Sequence, residues 1–210
     1  MTADAAGSTD SEVRATVWLR PDQVDDLRSA CYRDDRAAYL RQRDDAIVTL
    51  MYDAGLRVGE LVALDVNHLR DDATALYLPT AVQKDYPTDG SPPPTRVGLA
   101  DDTTRTLRGY LSSRWRESPA LFPSRSSNRI STRAVRSVVD DAAEAVGVRP
   151  YRLDGSRGEP ADVSPHALRH SVAWRMLHAE DGNTLYDVRN RLRHRSIQTT
   201  ERVYDHFRAV

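Results

Sequence analysis

Lysine is almost absent from this 210-residue chain: of its 30 basic residues, 29 are arginine and one, Lys84, is lysine. A Walker A loop needs Gly-Lys-Ser/Thr behind a glycine-rich turn, and the lone lysine sits in Gln83-Lys84-Asp85, so that class is excluded. Cysteine is equally scarce. Cys31 by itself can form neither an intrachain disulfide nor a thiolate zinc site, which makes a reducing cytoplasm the expected compartment. No apolar run reaches membrane-spanning length, and the polar, acidic stretch from Met1 to Thr16 has no signal-peptide core. A soluble cytoplasmic protein without a membrane partner is expected.

With 40% apolar residues, the chain has enough material to close one domain-sized core. Its formal net charge of -1 hides a division. Residues 1–104 carry 11 basic and 19 acidic side chains, whereas residues 105–210 carry 19 basic and 12 acidic ones. Only the second half is suited to face a polyanion.

Local signals outline a mostly helical domain. Residues 1–16 lack periodicity and read as a disordered tail, with structure starting near Val17. Pro21 suits a first helical turn, followed by Val24, Leu27 and Cys31 at helical spacing. A second helix fits Arg36 to Asp53 and ends at Gly55, and a third fits Val58 to Leu64. Ala75–Leu78 and Arg96–Leu99 are the strand candidates, separated by a stiff loop ending in Pro92 to Pro94. Helical spacing returns at Asp102 and again over Val135 to Val146, before Gly147. Ser164-Pro165 caps a helix through Leu177, and two shorter helices fit Thr184 to Leu192 and Ile197 to Phe207.

Within the capped helix, His166, Arg169 and His170 fall at spacings of three and four, on one face. Two histidines four apart can bind zinc, but position 167 is Ala where the zincin pattern has Glu, and an arginine on the same face repels a cation. No metal or cofactor is expected. Taken alone, the stretch reads as a core histidine beside an arginine paired with a carboxylate.

It recurs in a fixed order with three other blocks. Gly55-Leu56-Arg57-Val58-Gly59-Glu60-Leu61 precedes it; Leu192-Arg193-His194-Arg195-Ser196-Ile197-Gln198-Thr199-Thr200 and then Tyr204 follow. Together these blocks resemble the catalytic domain of the tyrosine recombinase, or phage integrase, family. The resemblance runs from about Val17 to Phe207 and implies an α+β fold, mostly α-helical with a small antiparallel β-sheet. By position, Arg57 and Arg169 match the two arginines that clamp the scissile phosphate, and His166 and His194 match its further hydrogen-bonding partners. Tyr204 matches the nucleophile, Lys84 the general acid, and Glu60 an acidic position that supports the site. His170 is expected to support it as well. The implied partner is double-stranded DNA, with assembly into a homo-oligomer on it left open.

The chemistry accounts for those residue types independently. A phosphodiester under attack gathers negative charge on its equatorial oxygens, and forked guanidinium groups meet that charge bidentately. A tyrosine with its pKa near 10 is phenolate about one part in a thousand at neutral pH, a handicap of about 4 kcal/mol, so neighbouring cations or a base must lower it. The leaving 5′-oxygen needs a proton that arginine supplies poorly, and the one lysine of the chain falls between the two strand candidates, where a donor is wanted.

Three departures from the family pattern stand out. Arg193 replaces the glycine frequent before the second histidine; it is expected either to shift His194 or to add a phosphate contact. The chain starts almost at the catalytic domain, so the N-terminal core-binding domain of other members is expected to be absent. Six residues follow Tyr204, fewer than in members that exchange a C-terminal segment. Arg129, Arg133 and Arg136, near or within one helix, are expected DNA-backbone contacts, with Arg193 and Arg195 beside His194. A DNA-strand transferase is the first reading; a non-catalytic DNA-binding accessory or regulatory protein on the same fold is the second.

Overall fold

A computed structural model of the protein describes residues 17–83 and 92–209. The expected tail, residues 1–16, and Lys84 lie outside the described residues.

Backbone signals set most of the element ends. Strand β1 (Val17–Trp18) leads into α1 (Pro21–Ala30), with Pro21 in the first turn, Val24 and Leu27 buried, and Cys31 at its C-cap. Helix α2 (Ala38–Ala54) runs through the interior and stops at Gly55, whose φ of 59° is left-handed. A side chain there fails twice: the conformation disfavours it, and a Cβ falls 2.5 Å from Leu192 Cδ2. Helix α3 (Val58–Ala63) starts immediately afterwards.

The expected strand pair is present as β3 (Ala75–Leu78) and β4 (Thr95–Gly98), preceded by β2 (Leu69–Arg70). The three form an antiparallel sheet in the order β2-β3-β4, with Leu76 opposite both Leu69 and Val97. Helices α4 (Asp101–Ser112) and α5 (Thr132–Val146) follow, α5 capped by the Ser131 side chain and closed by left-handed Gly147. Strand β5 (Tyr151–Arg152) pairs with β1 as a second, two-stranded antiparallel sheet. The chain ends in α6 (Pro165–His178), α7 (Leu185–Leu192), α8 (Ile197–Tyr204) and a 3-10 turn, Asp205–Ala209.

Two apolar clusters hold these elements together. The larger joins α1, α2, α4 and α5 to the three-stranded sheet through residues such as Leu27, Leu50, Leu76, Leu107 and Val139. The smaller gathers Val172, Val188, Leu192, Val203, Tyr204 and Phe207 around Trp18. Burying a leucine such as Leu192 is worth about 2–5 kcal/mol against alanine, so the last three helices are firmly docked. Gly55, with Leu192 and Val172 as its neighbours, sits on the seam between the clusters. Among the described residues, no helix is long and apolar enough to cross a membrane.

Candidate active site

The turn that Gly55 makes delivers Arg57 to the N-cap of α3. Its backbone N–H donates to Glu60 Oε2 at 2.8 Å, and its guanidinium donates to Glu60 Oε1 at 2.9 Å. Glu60 is buried, so its carboxylate orients Arg57 from below while part of the guanidinium remains open to solvent.

Helix α6 supplies the next group. Ser164 Oγ accepts the Ala167 N–H at 3.2 Å, closing the first turn, and the helix then carries Arg169 inward. The Arg169 guanidinium donates to the carbonyl oxygens of Gly55 and Leu192, joining the α2–α3 turn to the end of α7. His166, one turn earlier, is exposed, with its ring centroid 4.2 Å from that of buried His170.

The turn between α7 and α8 brings in the last block. The His194 ring lies parallel to the Tyr204 ring, with centroids 5.8 Å apart, and its Nδ1 shares a hydrogen bond of 2.9 Å with Thr200 Oγ1. On its other side, the Tyr204 hydroxyl shares a hydrogen bond of 2.9 Å with His170 Nδ1. Tyr204 is fully buried, behind the cleft rather than in it.

That cleft has a volume of about 590 Å³ and is lined by Arg57, Glu60, Gln83, Arg136, His166 and Arg169, with Ser164 and Pro165 of the α6 N-terminus. Three arginines, a helix N-terminus and a histidine around one concavity suit a phosphate. A second cleft, of about 620 Å³, opens between α1, α4 and α7, but its charges already serve one another. Arg28 is paired with Asp45 and Asp102, Arg191 with Asp53, and Arg175 with Glu180.

The electrostatics follow from burial against charge. Burial raises the Glu60 pKa, yet Arg193, Arg169 and Arg57 together with the Arg57 N–H hold it down at about 2, so it is ionised. Burial lowers Arg169 to about 9, with Arg57 and Arg193 pushing the same way and Glu60 and Tyr204 opposing. It remains a cation at neutral pH. Burial and then the arginines Arg169, Arg57 and Arg193 take His194 down to about 2, and burial with His166 and Arg169 takes His170 well below 6.5. Both imidazoles are neutral. Burial pushes Tyr204 up to about 12, with Arg169 and Arg57 working against it. The expected lowering by cations is present, but burial outweighs it here.

The sequence blocks thus converge: Arg57, Glu60, His166, Arg169, His170, His194 and Tyr204 form one contiguous group. Lys84 lies outside the described residues. Of the expected DNA contacts, Arg136 lines the cleft, and Arg133 and Arg195 are exposed. Arg193 is placed elsewhere than expected. Its side chain is 5% exposed, and its guanidinium donates to Ala54 O, Arg191 O, Gly55 O and Glu60 Oε2, so it braces the protein rather than meeting a phosphate at the surface. Arg129 is likewise engaged internally, donating to Val62 O, Leu64 O and Asp65 Oδ1. Thr200, which fixes the His194 ring, is a site residue without an expected role; its signal was its position in the Thr199-Thr200 pair.

The fold and the arrangement define the class: a mostly helical α+β domain with an arginine-lined cleft beside a buried tyrosine. The chain belongs to the phage integrase family, which it matches over residues 17–209. It is 31% identical over 197 residues to the tyrosine recombinase XerD of Caulobacter vibrioides, covering 90% of this chain and 56% of that protein. To the tyrosine recombinase XerC of Pseudomonas putida it is 32% identical, covering 97% of this chain and 60% of the relative. The chain therefore spans somewhat more than half the length of these relatives. Among solved structures, the XerA recombinase shares the fold with a TM-score of 0.68 at 24% identity, over 89% of this chain and 59% of that one. A lambda integrase dimer bound to a COC′ core site shares it with a TM-score of 0.61 at 19% identity, over 97% of this chain and 51% of that one.

Proposed function

We propose that residues 17–209 form the catalytic domain of a site-specific recombinase that cleaves and rejoins double-stranded DNA through a 3′-phosphotyrosyl link to Tyr204. The observation that carries this reading is the convergence of Arg57, Arg169, His194 and Tyr204, from four separate blocks of sequence, into one group, with Arg57 and Arg169 lining the cleft and Tyr204 buried beside His194. The names of the relatives, tyrosine recombinases XerC and XerD, support it.

In this reading the scissile phosphate occupies the cleft. Arg57 and Arg169 meet its non-bridging oxygens, His166 and His194 complete the hydrogen bonding, and Arg136 contacts the flanking backbone. The Tyr204 oxygen attacks phosphorus, forming the phosphotyrosyl bond and breaking the bond to the 5′-oxygen, which takes a proton from Lys84. Attack by the 5′-hydroxyl reverses both steps, so bond energy is conserved without a metal or nucleotide.

A hydroxyl with its pKa at about 12 is phenolate so rarely at neutral pH that attack carries a handicap of about 7 kcal/mol. Leaving the buried position for the arginine-lined cleft reduces it: there Arg57 and Arg169 still favour the phenolate while the burial that opposes it is lost, and the proton passes to solvent. Attack therefore requires Tyr204 to move out from behind the cleft. DNA and a second copy of the chain on it are the proposed partners.

Incubating the protein with nicked duplexes, whose short 5′-hydroxyl fragment diffuses away after cleavage, tests the function. A covalent protein–DNA adduct with a free 5′-hydroxyl on the released fragment is expected. Cleavage without any covalent product contradicts the reading.

A further inference from the structure

We propose that Arg193 is a positioning residue that holds Glu60 so that Arg57 is free to turn its guanidinium to the scissile phosphate. The inference rests on the recombinase reading above.

The backbone gives the first argument. Arg193 follows the last turn of α7 with φ at 56°, while the His194 N–H closes back on Arg189 O at 3.0 Å. Glycine is the usual residue for such a left-handed helix end, because a Cβ is disfavoured there. An arginine there is explained by what its side chain does.

That side chain reaches the site from behind. Its Nη1 donates to Ala54 O and Arg191 O, and its Nη2 donates to Gly55 O and to Glu60 Oε2, the last at 2.8 Å. Gly55 O also accepts from Arg169, and Glu60 also accepts from Arg57. Arg193 is therefore tied to the partners of Arg57 and Arg169, although it does not line the cleft itself. It cannot touch the substrate from there.

The charges give the second argument. Three cations face Glu60, each from a different element: Arg57 at the start of α3, Arg169 on α6 and Arg193 after α7. His194, His166 and Tyr204 face the same cations but are neutral or exposed. Arg57 is the one that the substrate must borrow. If Arg57 were the sole fork on the carboxylate, turning to phosphate would leave a buried anion short of a partner, which opposes the turn. Arg193 keeps that anion bonded and ionised throughout.

The test compares Arg193→Gly, Arg193→Gln and Arg193→Lys with wild type in single-turnover cleavage of a nicked duplex at neutral pH, and in the titration of the Glu60 carboxyl from about pH 3 to pH 7. Glycine suits the backbone but leaves four acceptors without their donor, so thermal stability is measured beside the rate; glutamine keeps most of the length without the charge. In both, cleavage is expected to fall at least tenfold, and the Glu60 carboxyl to titrate at least one pH unit above its wild-type value of about 2. Arg193→Lys restores the titration and part of the rate. Wild-type rates, or slower cleavage with an unmoved Glu60 titration, overturn the proposal. If wild type itself forms no adduct, the recombinase reading fails; the Glu60 titration followed by carbon NMR in the same variants still decides whether Arg193 governs that carboxylate.

Discussion

Tyr204 and His170 meet through a hydrogen bond of 2.9 Å between the phenolic oxygen and Nδ1, and both side chains are almost wholly withdrawn from water. The contact joins α8 to α6, so the proposed nucleophile is held by the same helix that carries Arg169. It also places an uncharged imidazole inside the smaller apolar cluster, where gaining a proton is unfavourable.

The first prediction is an acid sensitivity with a defined window. His170 titrates well below 6.5 in the folded chain and near 6.5 once unfolded, so below that value the unfolded chain binds the extra proton. Its contribution is intact above about pH 6.5 and is lost at about 1.4 kcal/mol per pH unit as the pH falls through that value. Glu60 adds a lower window: its pKa of about 2 in the folded chain against 4.5 makes its contribution fade only as pH falls below about 4.5. Denaturant unfolding from about pH 7 to pH 5 is expected to show the first slope, shallower in His170→Phe. An equal slope in both proteins contradicts it.

The second prediction separates Arg57 from Arg169. Arg57→Lys retains the charge and disturbs a partly exposed group, so cleavage should drop by about 3 kcal/mol of transition-state stabilisation while the melting temperature changes little. Arg169→Lys should lose the same activity and also stability. Its guanidinium binds two buried carbonyl oxygens, and a lysine cannot bridge both. Similar melting temperatures for the two variants would show that the Gly55 and Leu192 bonds are incidental.

Much of this architecture could be read directly from residues that control the backbone locally. Pro21, Gly55, Gly147 and Ser164 each stand where the structure places a helix end. The strands β1, β2 and β5 were not legible, because two residues carry no alternation. The turn after β2 also lacks its usual marker: Asp71, Asp72 and Ala73 adopt left-handed φ values of 52°, 56° and 63° without a glycine among them. At the site, the order of the blocks pointed to Arg57, Arg169, His194 and Tyr204. The inward course of Arg193 and Arg129 was hidden, because each depends on a carboxylate and carbonyls more than 60 residues distant. The burial of Tyr204 was hidden for the same reason: α6 and α8 must first be packed together.

The third prediction concerns proton supply. If Lys84 protonates the leaving 5′-oxygen, Lys84→Arg binds DNA normally yet cleaves an ordinary phosphodiester far more slowly, since guanidinium releases its proton poorly. A bridging 5′-phosphorothiolate leaves as a thiolate and needs no proton. Cleavage of that substrate should be largely restored in the variant. Equal defects on both substrates would assign Lys84 to charge neutralisation alone.

The central claim is that Tyr204 becomes covalently joined to DNA, and mass spectrometry of the adduct tests it most directly. Wild type trapped on a nicked duplex, digested with nuclease and protease, should yield a single nucleotide-bearing peptide modified on Tyr204. Tyr204→Phe should give none, while losing only about 1 kcal/mol of stability with its bond to His170. A nucleotide on any other residue, or an adduct that survives in the phenylalanine variant, would contradict the account.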